Sequence, residues 1–295
     1  MSKKFITLED NQPKSIVMKN VLLPTDFSEN SWNAIQYTLE LFKDEACNFY
    51  VFNSYRLPVY TADDFVGSST NEGLEETLHK KNNENLDKIL ERISNLKKNP
   101  KHTFRKVLEY NFFLDAIKEV VKKNGIDLIA MGTKGASGAK EIFIGTNTGD
   151  VINKVKVPLI VIPENAKYKF PKEIAFPTDH NVFYDRRSLK LLLKIAELHK
   201  STVRVVHVKA DKLELNQEQK ANKDFVFECL EKVDKSYHTL HNLNLEDALN
   251  CFSQSRDVDM IAMVPKNLNF FQKLFFKPKV EEISYHTNIP LLVLY

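Results

Sequence analysis

The chain has 295 residues, of which 43% are hydrophobic, and its 42 basic and 39 acidic residues give a net charge of +3. This length suggests two domains, and so small a net charge argues against a nucleic-acid partner. No apolar run approaches the roughly 20 residues of a membrane span, so no membrane partner is expected. Three cysteines without ligand-like spacing favour a reducing, cytoplasmic setting.

The first half is predicted to alternate strands and helices after a polar N-terminal tail at residues 1–17. An apolar strand ends in Pro-Thr-Asp, and the strands CNFYVFNSY, HTFRKVL, IDLIAMG and VPLIVIPEN follow it. Helices are predicted between them, including about Glu75–Leu96 and about Phe112–Lys123. Apolar runs rich in Val, Ile and Leu between helices are typical of parallel strands covered on both faces.

The second half repeats this plan, because PKEIAFPTDHNVFYDRRSLKLLLKIA aligns with MKNVLLPTDFSENSWNAIQYTLELF. Its later elements are STVRVVHVK, a helix at about Leu213–Val233, a strand at Ser236–Asn242, a helix at about Leu245–Ser255, and the strands VDMIAMV and IPLLVLY. We therefore predict an α/β fold of two tandem five-stranded parallel-sheet domains, Rossmann-like, with helices on both faces. Domain 1 covers residues 18–165, domain 2 covers residues 172–295, and a polar link separates them.

All eight glycines lie in the first 149 residues, and five of them fall between residues 132 and 149. A glycine cluster between an apolar strand and a helix is typical of a loop that lets backbone amides approach phosphate. Neither a Walker A loop nor a dinucleotide fingerprint is present. In open parallel sheets the ligand crevice lies at the carboxyl ends of the strands, which would bring the ends of the first, second and fourth strands together there.

The spacing Gly132-x2-Gly135-x9-Gly145-Thr146, with PTDFS at residues 24–28 and Val-Pro at 157–158, resembles the universal stress protein family. Its ATP-binding members carry Gly-x2-Gly-x9-Gly-Ser/Thr, and the resemblance covers essentially the whole chain as two copies. It implies a regulatory protein of the stress response that binds ATP with Mg²⁺ or another divalent cation. The implied binding residues are Pro24, Thr25, Asp26, Ser54, Met131, Gly132, Gly135, Gly145, Thr146, Asn147 and Thr148.

The last four of these residues are predicted to form a helix N-terminus, whose amides and dipole attract anions. Asn147 is expected as the helix N-cap, and Asp150 as an acidic residue in the first turn.

The second copy lacks the glycines of the first. Alignment on Pro158 and Pro290 places Val264, Asn267, Lys277 and Pro278 at the positions of Gly132, Gly135, Gly145 and Thr146. We therefore expect one ATP per chain, in domain 1. His180 and His207, with Asp179 nearby, could bind a metal, but without clear ligand spacing they are interpreted as residues at the rim of the pocket.

Several alternatives stay open at this point. The glycines could serve only a structural loop, the protein could hydrolyse ATP slowly, or it could be a scaffold that binds no nucleotide. No catalytic residue is evident from the sequence. The resemblance also implies that the two domains pair through their fifth strands, Val157–Ile162 and Ile289–Leu294, and that a homodimer is possible.

Overall fold

The computed structural model of the protein describes residues 19–57, 71–133, 145–209, 214–241, 245–264 and 288–295. The predicted tail at residues 1–17, together with Gly135, Asn267, Lys277 and Pro278, lies outside these residues, as does the predicted start of a helix at Leu213. None of the described helices is long and apolar enough to cross a membrane.

Strands and helices alternate through both halves of the described chain. The first half contains β1 (Lys19–Pro24), α1 (Glu29–Leu41), β2 (Cys47–Tyr55), α2 (Asn71–Ser94), β3 (His102–Tyr110), α3 (Phe113–Asn124), β4 (Leu128–Gly132), α4 (Thr146–Lys154) and β5 (Leu159–Ile162). The second half contains β6 (Glu173–Pro177), α5 (Lys190–His199), β7 (Thr202–Lys209), α6 (Gln217–Cys229), β8 (Asp234–His241), α7 (Leu245–Ser255), β9 (Met260–Met263) and β10 (Leu291–Val293).

The ten strands form one sheet with the order β3-β2-β1-β4-β5-β10-β9-β6-β7-β8. Neighbouring strands are parallel within each half. At the centre, β5 and β10 pair antiparallel, with Val161 opposite Leu291. The two halves of the sheet therefore have the same strand order, mirrored about this central pair.

Helices cover both faces of the sheet, and alternate strand residues supply the two cores. Val21 and Leu23 of β1 belong to the core that buries α1, α2, α5 and α6. Leu22, between them, belongs to the core that buries α3, α4 and α7. This is the side-chain alternation of a strand covered on both faces. The predicted α/β class, with a mostly parallel sheet and helices on both faces, is confirmed.

Local sequence signals explain several helix ends. Ser28 is the N-cap of α1, and its hydroxyl accepts a hydrogen bond from the Ser31 amide at 3.2 Å. Asn216 and Gln219 form a capping box at the start of α6. Helix α3 ends at Gly125, which adopts φ 57°, a left-handed conformation that glycine takes without steric cost.

Candidate nucleotide-binding site

The carboxyl ends of β2, β1 and β4, three neighbouring strands, meet at one edge of the sheet. A cleft of about 230 Å³ opens there against the N-terminus of α4. Ten of the eleven residues singled out from the sequence line this cleft: Pro24, Thr25, Asp26, Ser54, Met131, Gly132, Gly145, Thr146, Asn147 and Thr148. The eleventh, Gly135, lies outside the described residues.

Asn53 also lines the cleft, as expected for the end of the second strand, and so do Ser31 and Phe113, which the sequence did not predict there. Ser31 and Phe113 lie in the first turns of α1 and α3. Because a helix that follows a parallel strand begins at the carboxyl edge of the sheet, its first turn reaches the crevice. Their positions in first helical turns after parallel strands could therefore have identified both residues from the sequence.

A network of short side chains shapes the turn between β1 and α1. The Thr25 hydroxyl lies 2.9 Å from the Ser31 hydroxyl and accepts a hydrogen bond from the Phe27 amide at 3.0 Å. Phe27 adopts φ 67°, in the left-handed region that bulky residues rarely occupy. The chain therefore turns sharply just after Asp26.

This turn holds the Asp26 carboxylate by one oxygen. Its Oδ1 accepts hydrogen bonds from the amide and the hydroxyl of Ser28, at 3.1 and 2.5 Å. Its Oδ2 is buried and accepts no hydrogen bond from any residue in the described part of the chain. A buried acceptor without a donor is costly, so a ligand that supplied a donor here would be stabilised.

Asn53, on β2, presents a second acceptor of this kind. Its amide Nδ2 donates to the carbonyl oxygen of Thr25 at 2.8 Å. Its Oδ1 is buried and has no donor within the residues that the structure describes. Two residues with such acceptors, one just after β1 and one on β2, thus line the same cleft.

Gly132, at the end of β4, lies directly against the Asn30 side chain of α1. A Cβ atom built on it would lie 2.7–2.9 Å from three atoms of the Asn30 side chain, which is itself buried. The absence of a side chain at this position lets α1 pack against the end of β4. This is a steric reason for glycine here, separate from any role toward a ligand.

Helix α4 presents its N-terminus to the cleft and is tied to β4 at that end. The Thr148 hydroxyl donates to the Gly132 carbonyl at 3.0 Å, in a buried position, and the Gly145 amide donates to the Thr133 carbonyl at 2.6 Å. The first amides of a helix have no acceptor within it. Together with the helix dipole, they favour an anion at this end.

Two details of α4 differ from the prediction. Gly145 is its N-cap, without a side-chain hydrogen bond, and Asn147 is its second residue, so the expected Asn147 cap is wrong. Asp150 is the fifth residue and pairs with Lys154 at 2.6 Å, so the expected acidic residue in the first turn is also wrong. Both errors arise because the helix begins earlier than expected, with its first turn fastened to β4 by Thr148. The first turn carries no acidic side chain that would repel an anion.

The corresponding place in the second half is nearly filled. Between Pro177, Thr178 and Asp179 and the end of β9, a cavity of only about 10 Å³ remains, room for about one water. Tyr184, which aligns with Ser31, places its hydroxyl 2.7 Å from the Thr178 hydroxyl. The hydrogen bond of the first half is thus kept, and Tyr184, much larger than serine, lines the small cavity that remains. Burial raises the pKa of Tyr184 to about 12, so it stays neutral.

The interpretation of His180 and His207 as residues at the rim of a pocket is wrong, because both are buried, at 0% and 3% exposure. His180 adopts φ 59°, and its ring turns toward β7 and β8, with its centroid 5.0 Å from that of His207 and 5.9 Å from that of Tyr237. Burial, and then the neighbouring His207 and Lys223, lower the pKa of His180 to about 4. Across the described ranges, no group of three or more His, Cys, Asp or Glu side chains could hold a metal ion.

Fold and cleft together define an α/β protein with a ligand crevice at the carboxyl edge of a parallel sheet. Residues 18–163 match the model of the universal stress protein family. The universal stress protein MJ0577 of Methanocaldococcus jannaschii is 26% identical over 159 residues, which cover 50% of this chain and 96% of that protein.

Solved structures extend the likeness in fold to nearly the whole chain. A universal stress protein from Archaeoglobus fulgidus superposes with a TM-score of 0.65 at 18% identity, covering 93% of this chain and 95% of the other. A putative universal stress protein from Pseudomonas aeruginosa superposes with a TM-score of 0.52 at 11% identity, covering 94% and 93%. At these identities the likeness is one of fold alone.

Proposed function

We propose that this protein binds one molecule of ATP, with Mg²⁺ or another divalent cation, in the cleft of its first half and acts as a regulatory protein in the stress response. The observation that carries the proposal is the contrast between two related places in one chain. The first-half cleft measures about 230 Å³, whereas the equivalent cavity in the second half measures about 10 Å³. A cleft that served only the fold would have no reason to differ between the halves.

The two sides of the cleft match the two ends of a nucleotide. On one side, the first turn of α4 offers backbone amides and a positive dipole end to phosphates. On the other side, Asp26 offers a buried carboxylate oxygen that lacks a donor among the described residues, which suits a ribose hydroxyl. The metal would be bound chiefly through the phosphate oxygens, as is usual for Mg²⁺.

We also propose that the chain consists of two domains, residues 18–165 and 172–295, which pair with each other. Antiparallel pairing of β5 with β10 supports this, because it joins the two halves edge to edge. The Tyr295 hydroxyl adds a contact by donating to the Ile152 carbonyl of α4. The second domain would thus support the helix that holds the phosphates, without binding ATP itself.

The test is a calorimetric titration of the full chain with ATP and Mg²⁺, and a matched pair of variants is available. Asp26→Asn removes the carboxylate charge from the cleft, whereas Asp179→Asn makes the same change at the aligned position of the second half. We expect one site per chain, an affinity reduced by roughly 10-fold in Asp26→Asn because a hydrogen bond to a charged acceptor is weakened, and no change in Asp179→Asn.

Two results would contradict the proposal. If the wild-type chain neither binds ATP nor releases adenine nucleotide on denaturation, the protein works without a nucleotide. If both asparagine variants weaken binding equally, the site is not confined to the first half. Phosphate release by the wild type that disappears in Asp26→Asn would make the protein an ATP hydrolase that uses this cleft.

A further inference from the structure

We propose that Asn53 selects the base of the bound nucleotide, its side-chain oxygen accepting a hydrogen bond from the exocyclic amine of a 6-aminopurine. The inference rests on the proposed nucleotide binding and adds to it the residue that tells one base from another.

The hydrogen bond to Thr25 fixes the orientation of the Asn53 amide. Amide oxygen and nitrogen atoms are assigned from their partners, and the partner here is a backbone carbonyl, which can only accept. The NH₂ group of Asn53 must therefore face the Thr25 carbonyl, 2.8 Å away. The oxygen then points the other way and cannot exchange places with the nitrogen without losing this bond. Asn53 thus offers a fixed acceptor.

The acceptor is unsatisfied in the free protein. Asn53 lines the cleft, and its Oδ1 is buried with no donor in the described ranges. A ligand atom that donates a hydrogen bond would satisfy it, whereas a ligand atom that accepts would place two acceptors face to face. Such a site discriminates more strongly than an apolar wall, because a mismatch leaves buried polar groups unpaired.

The strand order indicates which end of the nucleotide reaches Asn53. The N-terminus of α4 is tied to the end of β4, and β1 lies between β4 and β2. Two strand spacings separate β4 from β2, about 10 Å. If the phosphates lie at α4, Asp26, two residues beyond β1, is nearest the middle of the ligand, and Asn53 on β2 is nearest its far end. That far end is the base.

The second half supplies an internal comparison. His207 aligns with Asn53, and its Nδ1 lies 2.9 Å from the carbonyl oxygen of Thr178, so the bond to the backbone is the same. With Nδ1 in the place of the asparagine nitrogen, the ring carbon Cδ2 takes the place of the asparagine oxygen. The backbone bond is therefore made without an oxygen at this position. The half with the open cleft is the half that has an amide oxygen there.

The variant Asn53→Ala removes this oxygen together with the amide nitrogen that donates to Thr25. The full chain is titrated with ATP and with inosine triphosphate, whose base carries an oxygen in place of the amine. For the wild type we expect inosine triphosphate to bind at least roughly 10-fold more weakly than ATP, as for an unmatched buried acceptor. In Asn53→Ala, the two affinities should agree within about 3-fold.

The outcomes separate this inference from the proposed function. If the wild type binds ATP and inosine triphosphate equally well, Asn53 does not read the base, although nucleotide binding stands. The same conclusion follows if Asn53→Ala keeps the wild-type preference. If the wild type binds neither nucleotide, both the proposed function and this inference fail. The wild-type comparison decides the matter even if a variant does not fold.

Discussion

Replacement of Gly132 by alanine is expected to destabilise the protein through one neighbour, Asn30. The added Cβ would lie 2.7 Å from Asn30 Oδ1, 2.8 Å from Cγ and 2.9 Å from Nδ2, closer than non-bonded atoms approach. Asn30 is only 6% exposed, so its side chain has little room to move. Overpacking of a filled interior by one methyl group costs about 1–3 kcal/mol. In the second half Val264 is tolerated at the aligned position, and Phe183, which aligns with Asn30, is 72% exposed.

A double-mutant cycle with Asn30→Ala isolates this contact. The free energy of unfolding is measured by urea denaturation for the wild type, Gly132→Ala, Asn30→Ala and the double variant. We expect Gly132→Ala to lower the free energy of unfolding by about 1–3 kcal/mol in the wild-type background and by close to nothing in the Asn30→Ala background. The coupling energy between the two sites should then exceed about 1 kcal/mol. If the two effects simply add, or if Gly132→Ala alone is neutral, glycine is not required here by Asn30 and the steric reasoning is refuted.

Two further variants exchange residues between the halves. Ser31→Tyr introduces the residue that the second half has at this position, Tyr184, and should keep a hydroxyl bonded to Thr25 while filling the cleft. We expect calorimetry to show ATP affinity reduced by roughly 10-fold or more, with little change in the melting temperature. Unaltered ATP affinity would contradict this. His180→Phe copies Phe27, which has the same left-handed φ. In the wild type, the pKa of His180 is about 4 in the folded chain and near its ordinary 6.5 in the unfolded chain. As the pH falls below 6.5, the unfolded chain therefore binds a proton that the folded chain does not, which favours unfolding. On the order of 3 kcal/mol of stability should therefore be lost between pH 6.5 and pH 4. A stability curve of His180→Phe as steep as that of the wild type over this range would show that His180 is not the cause.

The fold class was predictable because buried parallel strands leave a strong mark on the sequence. β1, β4 and β9 are apolar along most of their length, and the helices between them leave few other arrangements. Element ends were less predictable. β3 continues to Tyr110, beyond the predicted Leu108, because it lies at the edge of the sheet, where half-exposed residues carry no clear apolar signal. Helix α2 begins at Asn71 instead of Glu75.

The candidate site was predictable as far as strand ends determine it. The residues after β1 and at the ends of β2 and β4 lie together because parallel strands bring their carboxyl ends to one edge. The burial of single atoms could not be predicted. That Asn53 Oδ1 has no donor among the described residues, and that His180 turns into the protein interior, depend on contacts between residues distant in sequence. Sequence patterns report a residue's place along an element but not the partner of each of its atoms.

The two halves separate what the fold requires from what a ligand requires. Both use a threonine hydroxyl, Thr25 or Thr178, to accept the amide two residues later, and in both that later residue, Phe27 or His180, adopts a left-handed φ. These features persist where the described residues leave a cavity of only about 10 Å³, so they belong to the turn itself.

The features that differ all lie around the cleft. At the end of the fourth strand, Gly132 of the first half aligns with Val264 of the second. After Pro-Thr-Asp, Ser31 aligns with Tyr184, and on the second strand Asn53 aligns with His207. The first two differences change the space available, and the third changes which hydrogen bonds the wall of the cleft can make. Since the backbone around them is maintained by the shared features, these three positions can be exchanged between the halves to ask separately whether space or hydrogen bonding determines nucleotide binding.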